Sequence, residues 1–123
     1  MNFKQKHKYF IEEAIKEANK STMFRKHGCI IVNNKQIVAK GYNYYVYNYT
    51  RKFSIHAEEA AINNLKKNNY QNNKIYKMYI VRVSNNDLRL SLPCKKCTKL
   101  IEETKLIKKI YYSCDLLNII NIN

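Results

Sequence analysis

The sequence predicts one α/β domain of three layers, in which helices cover both faces of a single mixed sheet. The chain has 123 residues, enough for one domain, and 46% of them are hydrophobic, enough for a packed core. Segments with helical periodicity alternate with short apolar runs in the order helix, strand, strand, helix, strand, helix, strand. No repeat, linker or change of composition divides the chain, so residues 1–123 are expected to form one domain.

The N-terminal part predicts a helix and then an antiparallel hairpin. Apolar side chains recur at helical spacing over residues 4–20, with Lys and Glu between them. Two apolar runs, 29–32 and 37–39, are separated by four polar residues that suit a turn. Residues 42–53 show no helical period and are crowded with Tyr and Asn, so a loop is expected there.

The second half predicts two helices that each lead into a strand. A helix with small side chains is expected from His56, and residues 75–83 predict the third strand. Pro93 is expected to open the next helix, because proline suits the first helical position. Residues 107–114 predict the fourth strand, and parallel strands joined by right-handed crossovers are expected. The tail, 116–122, is apolar enough for a last strand or a docked segment.

The charge of the chain suits an anionic partner without specifying one. Lys plus Arg number 23 against 9 Asp plus Glu, which gives a formal charge of +14. Of the basic residues 19 are Lys and 4 are Arg, whereas bidentate recognition of phosphate and bases favours Arg. Asn, Ile, Lys and Tyr are also the residues that A+T-rich codons supply. A nucleic-acid partner is therefore possible but not favoured.

The sequence predicts a cytoplasmic protein with no membrane segment. It contains no run of 18 or more apolar residues and no apolar signal core near its N-terminus. Its four cysteines, at positions 29, 94, 97 and 114, would then lie in a reducing compartment. Metal binding or catalysis is therefore the favoured use of the close pair.

Two short motifs that begin predicted helices carry the candidate chemistry. Cys94 and Cys97 are three residues apart, so in the first turn of a helix their sulfurs lie on one face. A helix N-terminus lowers the thiol pKa, which favours the thiolate that a metal needs. With His56 as a third ligand, the set suits Zn²⁺ and leaves the fourth position for water.

Glu58 is the candidate proton carrier. It lies two residues after His56, so the two side chains cannot readily bind one ion but can face one cavity. A carboxylate beside a metal-activated water is placed to take its proton. The alternative is a closed structural zinc site, in which Cys29 or Cys114 is the fourth ligand and Glu58 only caps its helix.

The motifs H-x-E and P-C-x-x-C, in this order, resemble the signature of the zinc-dependent cytidine and deoxycytidylate deaminase superfamily. The resemblance covers roughly residues 10–114. Within it, 14–39 is similar to the family's first helix and hairpin, and Gly41-Tyr42-Asn43 is similar to its G-x-N. Residues 56–62 (HAEEAAI) resemble the zinc helix of deoxycytidylate-type members. The resemblance implies a cytidine deaminase-like fold.

The resemblance also implies the reaction and its metal. One Zn²⁺ per chain would be held by His56, Cys94 and Cys97, with water or hydroxide as the fourth ligand, and Glu58 would transfer protons. The implied reaction is hydrolytic deamination of a cytosine nucleoside or nucleotide to the uracil form with release of ammonia. Deoxycytidylate is the favoured substrate.

Four further residues are candidates for substrate binding. Asn43 matches the substrate Asn of the family, whose amide can donate and accept hydrogen bonds, and the Ala57 backbone N–H is expected to help orient the base. His27 and Phe53 are candidate pocket residues, with an ordinary packing role as the alternative for each. The Tyr-rich segment 42–49 can stack on a base or contact another subunit.

The sequence departs from the family at its C-terminus. Many members continue through a fifth strand and a C-terminal helix that help to close the pocket, so a shortened C-terminus is expected here. A homo-oligomer, dimer or tetramer, would then complete the pocket. Two alternatives stay open: a deaminase of another base, such as guanine, adenine or a base within tRNA or single-stranded nucleic acid, and a nonenzymatic zinc-stabilised module.

Overall fold

The computed structural model describes residues 3–68, 74–85, 87–113 and 119–122 and confirms the predicted α/β class. Its helices and strands, in chain order, are α1 (Phe3–Ala18), β1 (Lys26–Asn33), β2 (Gln36–Tyr42), β3 (Tyr44–Tyr47), β4 (Lys52–Ile55), α2 (Ala57–Lys67), β5 (Tyr76–Ser84), β6 (Asp87–Arg89), α3 (Lys95–Thr104), β7 (Ile107–Ser113) and β8 (Ile119–Ile122). Within these ranges no helix is long and apolar enough to cross a membrane.

One mixed sheet of six strands organises the molecule. Its strand order is β2-β1-β5-β7-β8, and β6 pairs with the end of β5. The N-terminal hairpin of β1 and β2 is antiparallel, and β1 is also antiparallel to β5. Strands β5 and β7 are parallel, and α3 lies between them in the chain. The predicted mixed sheet with an antiparallel N-terminal hairpin is confirmed, and part of the tail forms β8.

Side-chain alternation in the central strands divides the core into two halves. In β1, Cys29 and Ile31 pack with α2 and α3, whereas Ile30 and Val32 pack with α1 on the opposite face. Both halves are closed by fully buried alanines of the helices. The three-layer arrangement therefore follows from continuous apolar strands that are buried on both faces.

Each helix layer approaches the sheet at a glycine. A Cβ added at Gly41 would lie 2.6 Å from the carbonyl oxygen of Ala57, and one added at Gly28 would lie 2.5 Å from the Ala18 backbone nitrogen. Both obstacles are helix backbone, so no side chain fits at either position. Gly41 therefore fixes how closely the start of α2 lies against β2.

The predicted loop over 42–53 is wrong. Tyr44–Tyr47 and Lys52–Ile55 pair as a two-stranded antiparallel hairpin beside the main sheet. Aromatic residues favour strands, and the turn is stabilised by Asn48, whose Oδ1 accepts hydrogen bonds from the Thr50 and Arg51 N–H groups at 3.0 and 2.8 Å.

The predicted start of the third helix also needs correction. Pro93 is not its first residue, since α3 begins at Lys95 and Cys94 is the N-cap in an extended conformation. The Cys94 sulfur accepts a hydrogen bond from the Cys97 N–H and so takes the capping role itself. Cys114, named above as an alternative fourth ligand, lies outside the described residues.

Candidate active site

The three predicted metal ligands come together at the N-termini of α2 and α3. His56 is the N-cap of α2, Cys94 is the N-cap of α3, and Cys97 lies one turn further on. The His56 Nδ1 atom is 3.2 Å from the Cys97 sulfur and 3.6 Å from the Cys94 sulfur, and all three ligand atoms lie within 4.8 Å of one another. Tetrahedral zinc, with its usual bond lengths, separates such N and S atoms by about 3.6 Å.

The chemistry of this donor set also fits zinc. Burial raises the pKa of the Cys97 thiol, and the neighbouring Glu58 and Cys94 raise it further. A buried thiol without a cation therefore stays protonated, and a bound divalent cation supplies the charge that stabilises its thiolate. Among the described residues Cys29 does not join the group of three, although it is fully buried nearby. One nitrogen and two sulfurs are therefore the donors that come together in the part of the chain that the structure describes.

Glu58 lies beside the metal ligands in the first turn of α2. Its side chain is buried next to the Cys97 thiol. Burial raises the pKa of the Glu58 carboxyl, while the backbone N–H of Glu58 and the nearby His56 oppose the rise. A carboxyl with a raised pKa can accept and return a proton, which is the property required of a general acid and base.

A cavity of about 210 Å³ opens in front of these groups. A cavity of about 150 Å³ accommodates benzene, so this one has room for a substituted six-membered ring. Six of the predicted site residues line the cavity: His27, Asn43, His56, Ala57, Glu58 and Cys94. Five further residues also line it: Met23, Arg25, Ser54, Ser91 and Leu92. The structure therefore brings most of the predicted site to one cavity, with Cys97 behind its wall.

Asn43 is buried and its amide bonds to the backbone. Its Oδ1 accepts a hydrogen bond from the His27 N–H at 2.9 Å, and its Nδ2 donates to the Arg25 carbonyl oxygen at 2.7 Å. Asn43 thus fixes the segment that carries Arg25 and His27 along the cavity. Burial lowers the pKa of His27, partly offset by the Arg25 carbonyl, and favours a neutral ring. A direct substrate contact by Asn43 stays a prediction.

Phe53 does not line the cavity. Its ring is 38% exposed on β4, and the Arg51 guanidinium carbon lies 5.5 Å from the ring centroid. The next residue, Ser54, lines the cavity instead. Successive residues of a strand point to opposite faces, so choosing Phe53 instead of Ser54 selects the face away from the cavity.

Ser91 is a cavity residue that sequence reasoning missed. Its Oγ donates a hydrogen bond to the Ile80 carbonyl oxygen at 2.8 Å and accepts one from the Ser113 N–H at 2.9 Å. These bonds attach the segment before Cys94 to the middle of β5 and to the end of β7. The sequence feature that could have identified Ser91 is its position two residues before Pro93. Arg25 could have been identified in the same way, because it lies two residues before His27.

The fold and the site together define the zinc-dependent deaminase class of hydrolases. The family described as the cytidine and deoxycytidylate deaminase zinc-binding region matches residues 4–114. The chain belongs to this family. A comparison with curated protein sequences gives no significant match.

Solved structures share the fold. A dCMP deaminase from the cyanophage S-TIM5, in complex with dCMP and dUMP, is 23% identical with a TM-score of 0.67, covering 93% of this chain and 84% of that one. A cytidine deaminase from Burkholderia pseudomallei is 18% identical with a TM-score of 0.73, covering 95% and 91%. The predicted cytidine deaminase-like fold is confirmed.

Proposed function

We propose that this protein deaminates the cytosine of a free nucleotide, with deoxycytidylate as the favoured substrate, and releases the uracil form and ammonia. The observation that carries the proposal is the buried Glu58 carboxyl, which lines a ring-sized cavity beside the group formed by His56, Cys94 and Cys97. A closed structural zinc site would have no need of a buried proton carrier that faces an open cavity.

One zinc ion per chain would be held by the His56 Nδ1 atom and the sulfurs of Cys94 and Cys97. When bound, zinc supplies Lewis acidity that activates water near neutral pH. Glu58 would accept one proton of that water and deliver it to the ring nitrogen beside the amine-bearing carbon, while the water oxygen forms a bond with that carbon. Glu58 would then take the remaining proton from this oxygen and pass it to the amine, so that the C–N bond breaks and ammonia leaves. Positioned acid and base catalysis of this kind is typically worth about 10² to 10⁴ in rate.

The remaining cavity residues would position the base. The Ala57 N–H lies in the first turn of α2, where backbone donors are free to bind an oxygen of the substrate. Asn43 holds His27 and Arg25 in place through the hydrogen bonds described above. Phe53, a candidate pocket residue from the sequence, has no role in this proposal because it does not line the cavity.

Arg25 favours a phosphorylated substrate. Its side chain lines the cavity and is exposed, and among the described residues no carboxylate forms an ion pair with it. The net charge of +14 would steer an anion toward the site. The cyanophage relative in complex with dCMP and dUMP supports the same choice.

A homo-oligomer would complete the cavity. Phe24, Leu90 and Leu92 are 91%, 47% and 54% exposed. Phe24 is adjacent to the cavity residues Met23 and Arg25, and Leu92 lines the cavity itself. We propose that these apolar side chains contact a second subunit and that residues 1–123 form one domain.

Ammonia release by zinc-loaded protein tests the function. Deoxycytidylate, cytidylate, deoxycytidine, cytosine and guanine are assayed in parallel, with Glu58→Gln as the matched blank. We expect the highest kcat/KM with deoxycytidylate and a loss of about 10² to 10⁴ in the variant, which should keep its zinc. Arg25→Gln should raise KM for deoxycytidylate and leave deoxycytidine unchanged. Inactivity on every cytosine compound would reject the proposal.

A further inference from the structure

The hairpin of β3 and β4 presents one face that begins at the cavity. Tyr45 pairs with Ser54, and Tyr47 pairs with Lys52. Residues directly opposite each other in an antiparallel pair share a face, as do residues two apart in one strand. Tyr45, Tyr47, Lys52 and Ser54 therefore form one face, termed here the hairpin strip, and its member Ser54 lines the cavity.

The hairpin strip combines exposed aromatic rings with a cation. The Lys52 Nζ atom is 3.8 Å from the Tyr45 ring centroid and 5.7 Å from that of Tyr47. The two rings are 6.2 Å apart, and Tyr47 is 69% exposed. Residues 44–55 contain no Asp or Glu, so no carboxylate of the hairpin neutralises this cation.

We propose that the hairpin strip binds single-stranded polynucleotide, with bases stacked on Tyr45 and Tyr47 and a phosphate paired with Lys52. Aromatic faces accept any unpaired base, and an adjacent cation follows the backbone, which is how non-sequence-specific single-strand sites are built. A duplex hides its base faces and cannot use the rings in this way. The strip therefore selects unpaired strands.

Charge argues against a second copy of this chain as the occupant. Two strips in contact would bring Lys52 of one copy close to Lys52 of the other, and the hairpin has no carboxylate to offset that repulsion. A polyanion has the opposite sign and gains from releasing its counterions.

A strand on the hairpin strip would cross the mouth of the cavity. Tyr47 lies two residues beyond Tyr45, the register partner of the cavity residue Ser54. A cytosine-free oligonucleotide should then compete with the nucleotide substrate without being deaminated. The binding itself does not rest on the proposed deaminase activity, so the two proposals can fail separately.

Fluorescence anisotropy of labelled oligothymidine and oligouridine, about 15 nucleotides long, tests the inference on the zinc-loaded full chain. The Tyr47→Ser variant should bind about tenfold more weakly, because one base loses its stacking partner. The Lys52→Gln variant should lower the slope of log K against log salt concentration by about 0.7 in magnitude, because one phosphate contact is lost. Two matched controls, Tyr44→Ser on the opposite face of the same strand and Lys66→Gln on α2, should stay within about twofold of the unchanged protein.

Three results would overturn the inference. These are absence of binding at about 50 mM salt, equal losses in the control variants, and equal affinity for a duplex of the same length. Thermal unfolding and zinc content verify that each variant is folded. The oligothymidine and oligouridine arms show whether DNA or RNA is preferred, and substrate competition shows whether the bound strand reaches the cavity.

Discussion

The cavity is bounded by two regions that differ in burial and in what holds them. The helix wall, formed by the N-termini of α2 and α3, contains Ala57, Glu58 and Cys97, which are 0%, 4% and 1% exposed. The hairpin of β3 and β4 contributes Ser54 to the cavity, and its Tyr47 is 69% exposed. One region is part of the core, and the other pairs as a separate two-stranded sheet.

The difference follows from the chemistry that each region would serve. Metal ligands and a proton carrier act only within narrow limits of distance, and packed helix termini against a sheet maintain such limits. Stacking on an aromatic ring tolerates shifts of the base, so an exposed hairpin is sufficient for it. Substitutions in the helix wall should therefore have large effects, and substitutions in the hairpin should have small effects on folding and turnover.

The largest effect is expected from Cys97→Ala. The substitution removes a ligand, so bound zinc should fall from about one per chain to a small fraction, with turnover lost in parallel. Zinc analysis and ammonia release measure both quantities. Cys29→Ala is the matched control, because Cys29 is also a fully buried cysteine.

The control also decides between an open and a closed site. If Cys29 is only a packed thiol, Cys29→Ala should lower the free energy of unfolding by about 1 kcal/mol and keep the zinc. Loss of zinc in both variants would mean that Cys29 is a fourth ligand. The helix wall would then be a structural zinc site, and the proposed turnover would have no open position.

A smaller effect is expected from Gly41→Ala. The new Cβ would lie 2.6 Å from the Ala57 carbonyl oxygen and 2.9 Å from the Ala60 carbonyl carbon, so the start of α2 must move. Such overpacking costs about 1–3 kcal/mol, and the movement should also lower kcat because it displaces Glu58. Chemical denaturation and steady-state kinetics test the two consequences.

Gly28→Ala is the matched control for that substitution. Its Cβ would meet the backbone of α1, which carries none of the proposed zinc ligands. We expect a similar loss of stability with a smaller loss of kcat. Equal losses of kcat in the two variants would mean that the helix wall has no special sensitivity to position.

The sequence sufficed for the helix wall because its signals are local. Cys94 and Cys97 fall on one face of any helix that begins near them, and His56 opens the other helix. The mixed sheet and the helices on both of its faces followed from hydrophobic periodicity in the same way. The sequence did not reveal the tertiary contacts. Ser91 and Ser113, for example, are hydrogen-bonded although they are 22 positions apart in the chain.

The hairpin was missed for a different physical reason. Its turn has no glycine or proline. Residues 44–47 are three tyrosines and a valine, so polar and apolar residues do not alternate as they would in a strand with one buried face. Without the hairpin, its register was unknown, and a register error of one residue exchanges Phe53 for Ser54 at the cavity. The prediction therefore named the correct segment, which does reach the cavity, but the wrong residue within it.

Phe53→Ala should have the smallest effect and gives the sharpest test of the difference between the two regions. Phe53 pairs with Val46 on the face opposite the hairpin strip, and its ring contacts the Arg51 guanidinium. Because the ring is outside the cavity, KM for the nucleotide should change by no more than about twofold, which is about 0.5 kcal/mol. The loss of one partly exposed aromatic side chain should affect the free energy of unfolding only modestly.

Steady-state kinetics with deoxycytidylate measures the KM, and Ser54→Ala is the comparison because Ser54 is adjacent and lines the cavity. A larger change in KM for Ser54→Ala than for Phe53→Ala supports the observed register. A tenfold rise with Phe53→Ala would mean that the hairpin turns its other face toward bound substrate. The hairpin would then move during the reaction, and the division into a fixed helix wall and a passive hairpin would be wrong.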